Sequence, residues 1–88
     1  MVKAYRVEFM PGALADLEGL DRTMAQRVLT KIKWLSENFE YMTPELLRGE
    51  CNGLFKLRVG DFQVLYTVNR EDLLITIHLV GHRSDIYK

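Results

Sequence analysis

The sequence predicts a two-layer α+β domain, in which two N-terminal helices cover one face of a small antiparallel sheet in the order β-α-α-β-β-β. Two observations carry this prediction. Apolar residues recur at helical spacing between residues 25 and 39, and three successive runs between residues 54 and 80 alternate with the period of a strand. No repeat or low-complexity segment interrupts the 88 residues, so we expect one domain spanning residues 1–88.

The N-terminal half predicts a strand followed by two helices. Residues 3–9, KAYRVEF, are rich in β-formers and predict the first strand. Pro11 suits the first turn of a short helix, and Asp21 or Thr23 can cap the next one. The apolar stripe of the second helix consists of Ala25, Val28, Ile32, Leu35 and Phe39. Its other faces carry Arg22, Arg27, Lys31 and Lys33.

The C-terminal half predicts three strands. Residues 40–53 contain Pro44, Gly49 and Gly53 and predict an irregular connection. Alternating runs follow at residues 55–59, 62–68 and 73–80, joined by turns at 60–61 and 69–72. All three strands are therefore expected to pair in antiparallel fashion.

These turns predict which residues share a row across the sheet. The two-residue turn places Arg58 opposite Gln63, and a loop at 69–72 places Gln63 opposite His78. Opposed residues point to the same side, so Arg58, Gln63 and His78 are predicted to form one row. Lys56 lies in the next row, on the face that the helices leave open.

The predicted open face mixes cations with apolar residues, namely Leu54, Leu65, Leu74 and Val80. Such a surface is typical of one that contacts a partner. A solvated sheet face with a few cations explains the same pattern, and the alternation alone favours neither interpretation.

Composition restricts the class of protein. Twelve basic and twelve acidic residues cancel, which argues against a bulk electrostatic binder of nucleic acid but not against a small basic site. Cys51 is the only cysteine, so we expect no disulfide, no cysteine metal site and a reducing, cytoplasmic setting. The uncharged stretch 73–82 is about half the length needed to cross a bilayer, so we expect a soluble protein without a membrane partner.

The last eight residues, GHRSDIYK, bring His82, Arg83 and Tyr87 close together in the sequence. Each has an ordinary surface use. Together with Lys56 and Arg58 they also form a set suited to phosphate chemistry, because arginine binds phosphate through a fork of donors and histidine transfers protons near neutral pH. Tyrosine can stack on a base.

Three segments of the chain resemble the RelE/ParE superfamily of toxins from type II toxin–antitoxin systems. They are YRVEFMPGALADLEGLD (5–21), LRGECNGLFKLRVGDFQVLYTV (47–68) and LVGHRSDIYK (79–88). The resemblance covers nearly the whole chain. It implies the RelE-like α+β fold, and for the RelE-like branch a metal-independent, cofactor-free endoribonuclease that cuts mRNA in the ribosomal A site. In that reaction the 2′-hydroxyl attacks the adjacent phosphate.

The resemblance also implies roles for particular residues. Lys56, Arg58, Arg83 and Tyr87 fall at catalytic positions, and Gln63, His78 and His82 are expected to bind substrate. Gln63 stands where the family often has arginine, and the lost cation could weaken transition-state stabilisation by about 2–4 kcal/mol. A protonated His78 beside Gln63 would compensate.

The same resemblance leaves other functions open. One is a ParE-like toxin that inhibits DNA gyrase by binding, and another is a weak or degenerate RelE-like member. All of them imply a cognate antitoxin that wraps the toxin in a hetero-oligomer, besides the ribosome and mRNA for the nuclease. Leu54, Leu65 and Leu74 are expected docking points for the antitoxin, together with the surface of the helices.

Overall fold

The computed structural model describes residues 4–46 and 53–82, and within them the predicted α+β class is confirmed and every predicted element occurs in the predicted order. The elements in chain order are β1 (Arg6–Phe9), α1 (Pro11–Glu18), α2 (Arg22–Asn38), β2 (Glu45–Leu46), β3 (Phe55–Val59), β4 (Phe62–Asn69) and β5 (Leu74–His82). A short 3₁₀ turn, Phe39–Tyr41, follows α2. The two-residue strand β2 was not predicted and lies inside the connection expected to be irregular.

The helices begin where the sequence indicates. Pro11 is the first residue of α1, a position where its missing N–H leaves no hydrogen bond unmade. Asp21 caps α2, since its Oδ1 accepts a hydrogen bond of 3.3 Å from the backbone N–H of Met24. Val28, Ile32 and Leu35, from the predicted apolar stripe, are buried against the sheet. Among the described residues, no helix is both long and apolar enough to cross a membrane.

The sheet is mixed, whereas the sequence predicted an antiparallel one. Its strand order is β1-β5-β4-β3-β2, and β1 runs parallel to β5 while the other pairs are antiparallel. A hairpin turn forces two strands to run antiparallel, but β1 leaves through two helices and is free to run parallel to a distant strand. The alternation of residues within β1 contains no information about that choice.

The core lies between the helices and one face of the sheet, and aromatic rings occupy its centre. The Phe39 ring meets those of Tyr5, Phe55 and Tyr66 edge-on, at centroid distances of 5.2, 6.5 and 6.5 Å. Such pairs add to the stability gained from burying their area. The hydroxyl of Tyr5 reaches the rim of this cluster and donates a hydrogen bond to Glu40.

The pairing of β3 with β4 agrees with the prediction, but that of β4 with β5 does not. Asn69 pairs with Leu74, so the loop comprises residues 70–73 rather than 69–72. The Asn69 side chain holds this loop, because its Oδ1 accepts from the backbone N–H of Asp72 at 3.0 Å and its Nδ2 donates to the Asp72 carboxylate at 3.1 Å.

A β-bulge then changes the rest of the register. Tyr66 pairs with Ile77 and Leu65 pairs with Leu79, so His78 is the extra residue of the bulge and has no pairing partner on β4. The bulge inverts the alternation of β5 beyond His78. Val80, predicted on the open face, is 3 % exposed and packs in the core beside Val64.

Candidate active site

Lys56 and Arg58 lie on the face of β3 that points away from the helices, as predicted. Leu57 and Val59, which alternate with them, are buried in the core. Lys56 pairs with Leu65 and Arg58 with Gln63. Arg58 is exposed and Lys56 is half-buried. β3 thus presents two neighbouring cations, Lys56 and Arg58, on one face directly before the two-residue turn.

Gln63 lies in the same row as Arg58 but is not on an exposed surface. It is 1 % exposed, and its Oε1 has no hydrogen-bond partner in the described part of the chain. On its other side it pairs with Gly81, not with His78. The end of β5 therefore lies beside the Arg58–Gln63 pair.

The prediction that His78 sits beside Gln63 is wrong. The loop at 70–73 shifts the register by two residues and the bulge shifts it by one more, so Gln63 meets Gly81. The Nε2 of His78 is hydrogen-bonded to Thr67 Oγ1 at 2.8 Å. His78 is half-buried there, so it does not replace the charge that Gln63 lacks. A role for His78 in substrate binding remains a prediction.

His82 does not join the Lys56–Arg58 row. It pairs with Phe62, and the two rings meet edge-on with centroids 5.4 Å apart. Phe62 belongs to the same row as the buried Val59, so this contact lies on the helix side of the sheet. β5 continues to His82, two residues beyond the predicted end of the strand. Without the bulge, the alternation would have placed His82 on the open face.

Arg83, Tyr87 and Cys51 lie outside the described residues. In the sequence, Arg83 directly follows His82, the last residue of β5. The catalytic roles expected of Arg83 and Tyr87 therefore remain predictions.

Sequence reasoning did not single out Asp16. This α1 residue accepts a hydrogen bond of 3.0 Å from the backbone N–H of Val80 through its Oδ2. β1 pairs with β5 only from Leu74 to Ile77, so the carboxylate serves as a partner on β5 beyond the end of β1. No local signal indicates this contact, because the two residues are far apart in the sequence.

Sequence reasoning also missed a groove on the outer side of α2, beside the end of β3. Arg27, Lys31 and Trp34 of α2 line it together with Arg58. Their spacing of four and three residues is a signal that could have found them, since it places them on one helical face. Arg58 therefore belongs both to the row on β3 and to this groove.

The arrangement suits the binding of a negatively charged group near Arg58. Two cations on one strand can stabilise charge that grows on a phosphoryl group. The open face supplies these groups from strands that are rigidly paired, which favours a fixed geometry.

The fold and this row of cations define a small α+β domain with a basic site, and comparison with known proteins establishes the family. Residues 7–87 match the family described as the ParE toxin of the type II toxin–antitoxin system parDE. The chain therefore belongs to this family, within the RelE/ParE superfamily.

Individual relatives are RelE-like. A protein of Escherichia coli described as a RelE-like toxin is 34 % identical, over 94 % of this chain and 90 % of that protein. The toxin–antitoxin complex RelBE2 of Mycobacterium tuberculosis contains a chain that is 31 % identical, with 97 % of both chains covered and a TM-score of 0.82. The isolated RelE toxin of Escherichia coli, at 24 % identity, 96 % and 92 % coverage and a TM-score of 0.75, shows similarity of fold.

Proposed function

We propose that this type II toxin is a ribosome-dependent mRNA endonuclease that needs no metal and is neutralised by a cognate antitoxin. The observation that carries the proposal is the placement of Lys56 and Arg58 side by side on the open face, with Gln63 and the end of β5 adjoining them. The RelE-like relatives support the same activity.

The proposed reaction is an internal transesterification. The 2′-oxygen forms a bond to phosphorus, and the bond from phosphorus to the 5′-oxygen breaks. A base takes the proton of the 2′-hydroxyl, and an acid gives a proton to the leaving oxygen. The products are a 2′,3′-cyclic phosphate and a free 5′-hydroxyl.

We assign the charge stabilisation to Lys56, Arg58 and Arg83, because cations near the phosphate lower the energy of the transition state most. Tyr87 is assigned to base stacking or proton transfer, and Gln63 to a hydrogen bond with the substrate. His78 and His82 are left with peripheral contacts, since one is bonded to Thr67 and the other lies against Phe62.

The antitoxin is proposed because similar structures are toxin–antitoxin complexes, including those of Mycobacterium tuberculosis and Pyrococcus horikoshii. The leucines expected to contact the antitoxin differ in how much surface they offer. Leu74 on β5 and Leu54 before β3 are both half-buried, whereas Leu65 is 7 % exposed and offers little surface.

Cleavage of a defined mRNA in the A site of purified ribosomes, detected by primer extension, tests the proposal. We expect a cut at a fixed codon position that requires ribosomes and that Lys56→Gln and Arg83→Ala each reduce roughly 10²–10³-fold. Lys33→Gln, which removes an exposed cation from α2, is the matched control and should cleave like the parent. A folded protein that gives no cut would contradict the proposal.

A ParE-like inhibitor of DNA gyrase is the second candidate. The matched family is that of ParE, and the uncharged Gln63 replaces an expected cation. A supercoiling assay run in parallel separates the two. Inhibition of gyrase without cleavage of mRNA would support the ParE-like function, and silence in both assays would indicate a degenerate member.

A further inference from the structure

A groove of about 660 Å³ runs between the outer face of α2 and the end of β3, and we name it the α2–β3 groove. From α2 it is lined by Thr23, Gln26, Arg27, Thr30, Lys31 and Trp34. From the other side it is closed by Arg58, Val59 and Gly60. β2 pairs only with Phe55 and Lys56, so the end of β3 beside the groove is not covered by β2.

The groove is positively charged although the whole chain is neutral. Arg27, Lys31 and Arg58 line it, and no carboxylate is among its described lining residues. Gly60, with φ of 59°, brings the turn close to α2, and a methyl group added there would lie 3.3 Å from the Arg27 guanidinium. The turn therefore lies close to the Arg27 guanidinium at the groove wall.

The remaining lining residues fit a nucleic acid better than a protein. Thr23, Gln26 and Thr30 are neutral donors that can bind phosphate oxygens. Trp34 is 40 % exposed, and the Lys31 ammonium lies over one face of its ring, 4.2 Å from the centroid. A base can stack on the other face of the ring, with Lys31 adding positive charge beside it. The centre of a protein interface has few charged residues and much apolar surface. This groove has three cations, and its only apolar described lining residues are Trp34 and Val59, of which Val59 is 6 % exposed.

The spacing of the cations suits an extended polyanion. Arg27 and Lys31 lie one turn apart, about 6 Å along the helix axis, so each can meet a different phosphate of one strand. Arg58 belongs both to the groove and to the Lys56–Arg58 row. A strand in the groove would thus be continuous with the proposed cleavage site.

We propose that the α2–β3 groove binds a single strand of RNA through its phosphates and stacks one base on Trp34. Only the identity of this RNA rests on the proposed function. If the protein cuts mRNA on the ribosome, the strand in the groove is the mRNA beyond the cleaved phosphate or the ribosomal RNA next to it. The groove extends the RNA-contacting surface from the open face of the sheet, around the end of β3, to α2.

Trp34 is the only tryptophan of the chain, so its fluorescence reports on the groove directly. The probe is a short single-stranded RNA that is fully 2′-O-methylated and cannot be cut. We expect it to quench Trp34 emission with the same affinity that fluorescence anisotropy measures on the RNA. Quenching in the parent protein does not depend on any variant being folded.

Two double variants with the same loss of charge then locate the binding. Arg27→Gln with Lys31→Gln should weaken RNA binding about tenfold and reduce the slope of log affinity against log salt by about 1.4, since two phosphate contacts are lost. Arg22→Gln with Lys33→Gln removes two exposed cations of α2 that do not line the groove, and should change affinity less than about twofold.

Several results would overturn the inference. These are no binding of RNA, binding without a change in Trp34 emission, or equal losses in both double variants. An acidic peptide that quenches Trp34 and loses affinity in the groove variant, while RNA does not, would mark the groove as a protein site. Groove binding of RNA by a protein that never cleaves mRNA on ribosomes would contradict the proposed function and leave this inference supported.

Discussion

Tyr66 is a core residue whose hydroxyl is buried without a hydrogen-bond partner in the described part of the chain. Its ring packs against Phe39 and Phe55. Burial disfavours the phenolate and raises the pKa of Tyr66 to about 12. The ring therefore contributes packing, whereas the oxygen lowers stability.

Tyr66→Phe should stabilise the protein by about 1 kcal/mol, because it removes a buried polar group that has no partner. In a domain of this size that raises the melting temperature by about 4–8 °C. Tyr41→Phe is the matched control, since Tyr41 is 71 % exposed and its replacement should leave the melting temperature within experimental error. A lower melting temperature for Tyr66→Phe would show that the hydroxyl is satisfied in solution.

The same residue predicts a loss of stability in alkali. Between pH 10 and about 12 the unfolded chain loses the Tyr66 proton while the folded chain keeps it, so the free energy of unfolding falls as pH rises through that window. Burial and the hydrogen bond to Glu40 also raise the pKa of Tyr5. Urea denaturation at several pH values should give a shallower fall for Tyr66→Phe than for the parent, and identical slopes would contradict the pKa.

Gln63 was expected on the open face, in place of a cation, but the structure buries its amide. Gln63→Met has a similar volume and no polar atoms. The substitution costs no hydrogen bond at Oε1, which has no partner in the described part of the chain. We expect it to reduce mRNA cleavage at least about tenfold if the amide binds substrate. Undiminished cleavage by the folded variant would remove Gln63 from the proposed site.

At the scale of elements, the bulge in β5 decides which side chains reach the open face. It inverts the alternation after His78, directs Val80 into the core and places His82 against Phe62. The Asp16 carboxylate holds the backbone of β5 immediately beyond the bulge. Helix α1 thus helps to set the path of the strand that leads to Arg83.

Asp16→Ala should lower the free energy of unfolding by about 1–2 kcal/mol, because the N–H of Val80 loses its acceptor. Amide hydrogen exchange of Val80 should become faster. Asp16→Asn retains an acceptor oxygen, so its free energy of unfolding and the protection of its Val80 amide from exchange should both fall less. Glu18→Ala, at an exposed position of the same helix, serves as the control, and unchanged exchange at Val80 in Asp16→Ala would show that the hydrogen bond does not hold β5.

At the scale of the whole molecule, a neutral chain separates its charges in space. Lys56 and Arg58 lie on the open face, and Arg58 with Arg27 and Lys31 forms the positive lining of the α2–β3 groove. Two positive surfaces that meet at Arg58 can guide a single strand of RNA along one path. The net charge of the chain alone would not do this. The sum of charges therefore underestimates the capacity of this protein to bind an anion.

The helices α1 and α2, the strands β1, β3, β4 and β5, the short turn at Gly60 and Asp61, and the Lys56–Arg58 row were determined by the sequence alone, since periodicity and turn chemistry depend on neighbouring residues. The strand β2 was not among them. The tertiary structure decided the parallel pairing of β1, the bulge at His78, the burial of Gln63 and the α2–β3 groove. Each of these depends on contacts between residues far apart in the chain, such as Asp16 with Val80 and Arg27 with Gly60. Local patterns do not contain those contacts, because they form only when the helices pack on the sheet.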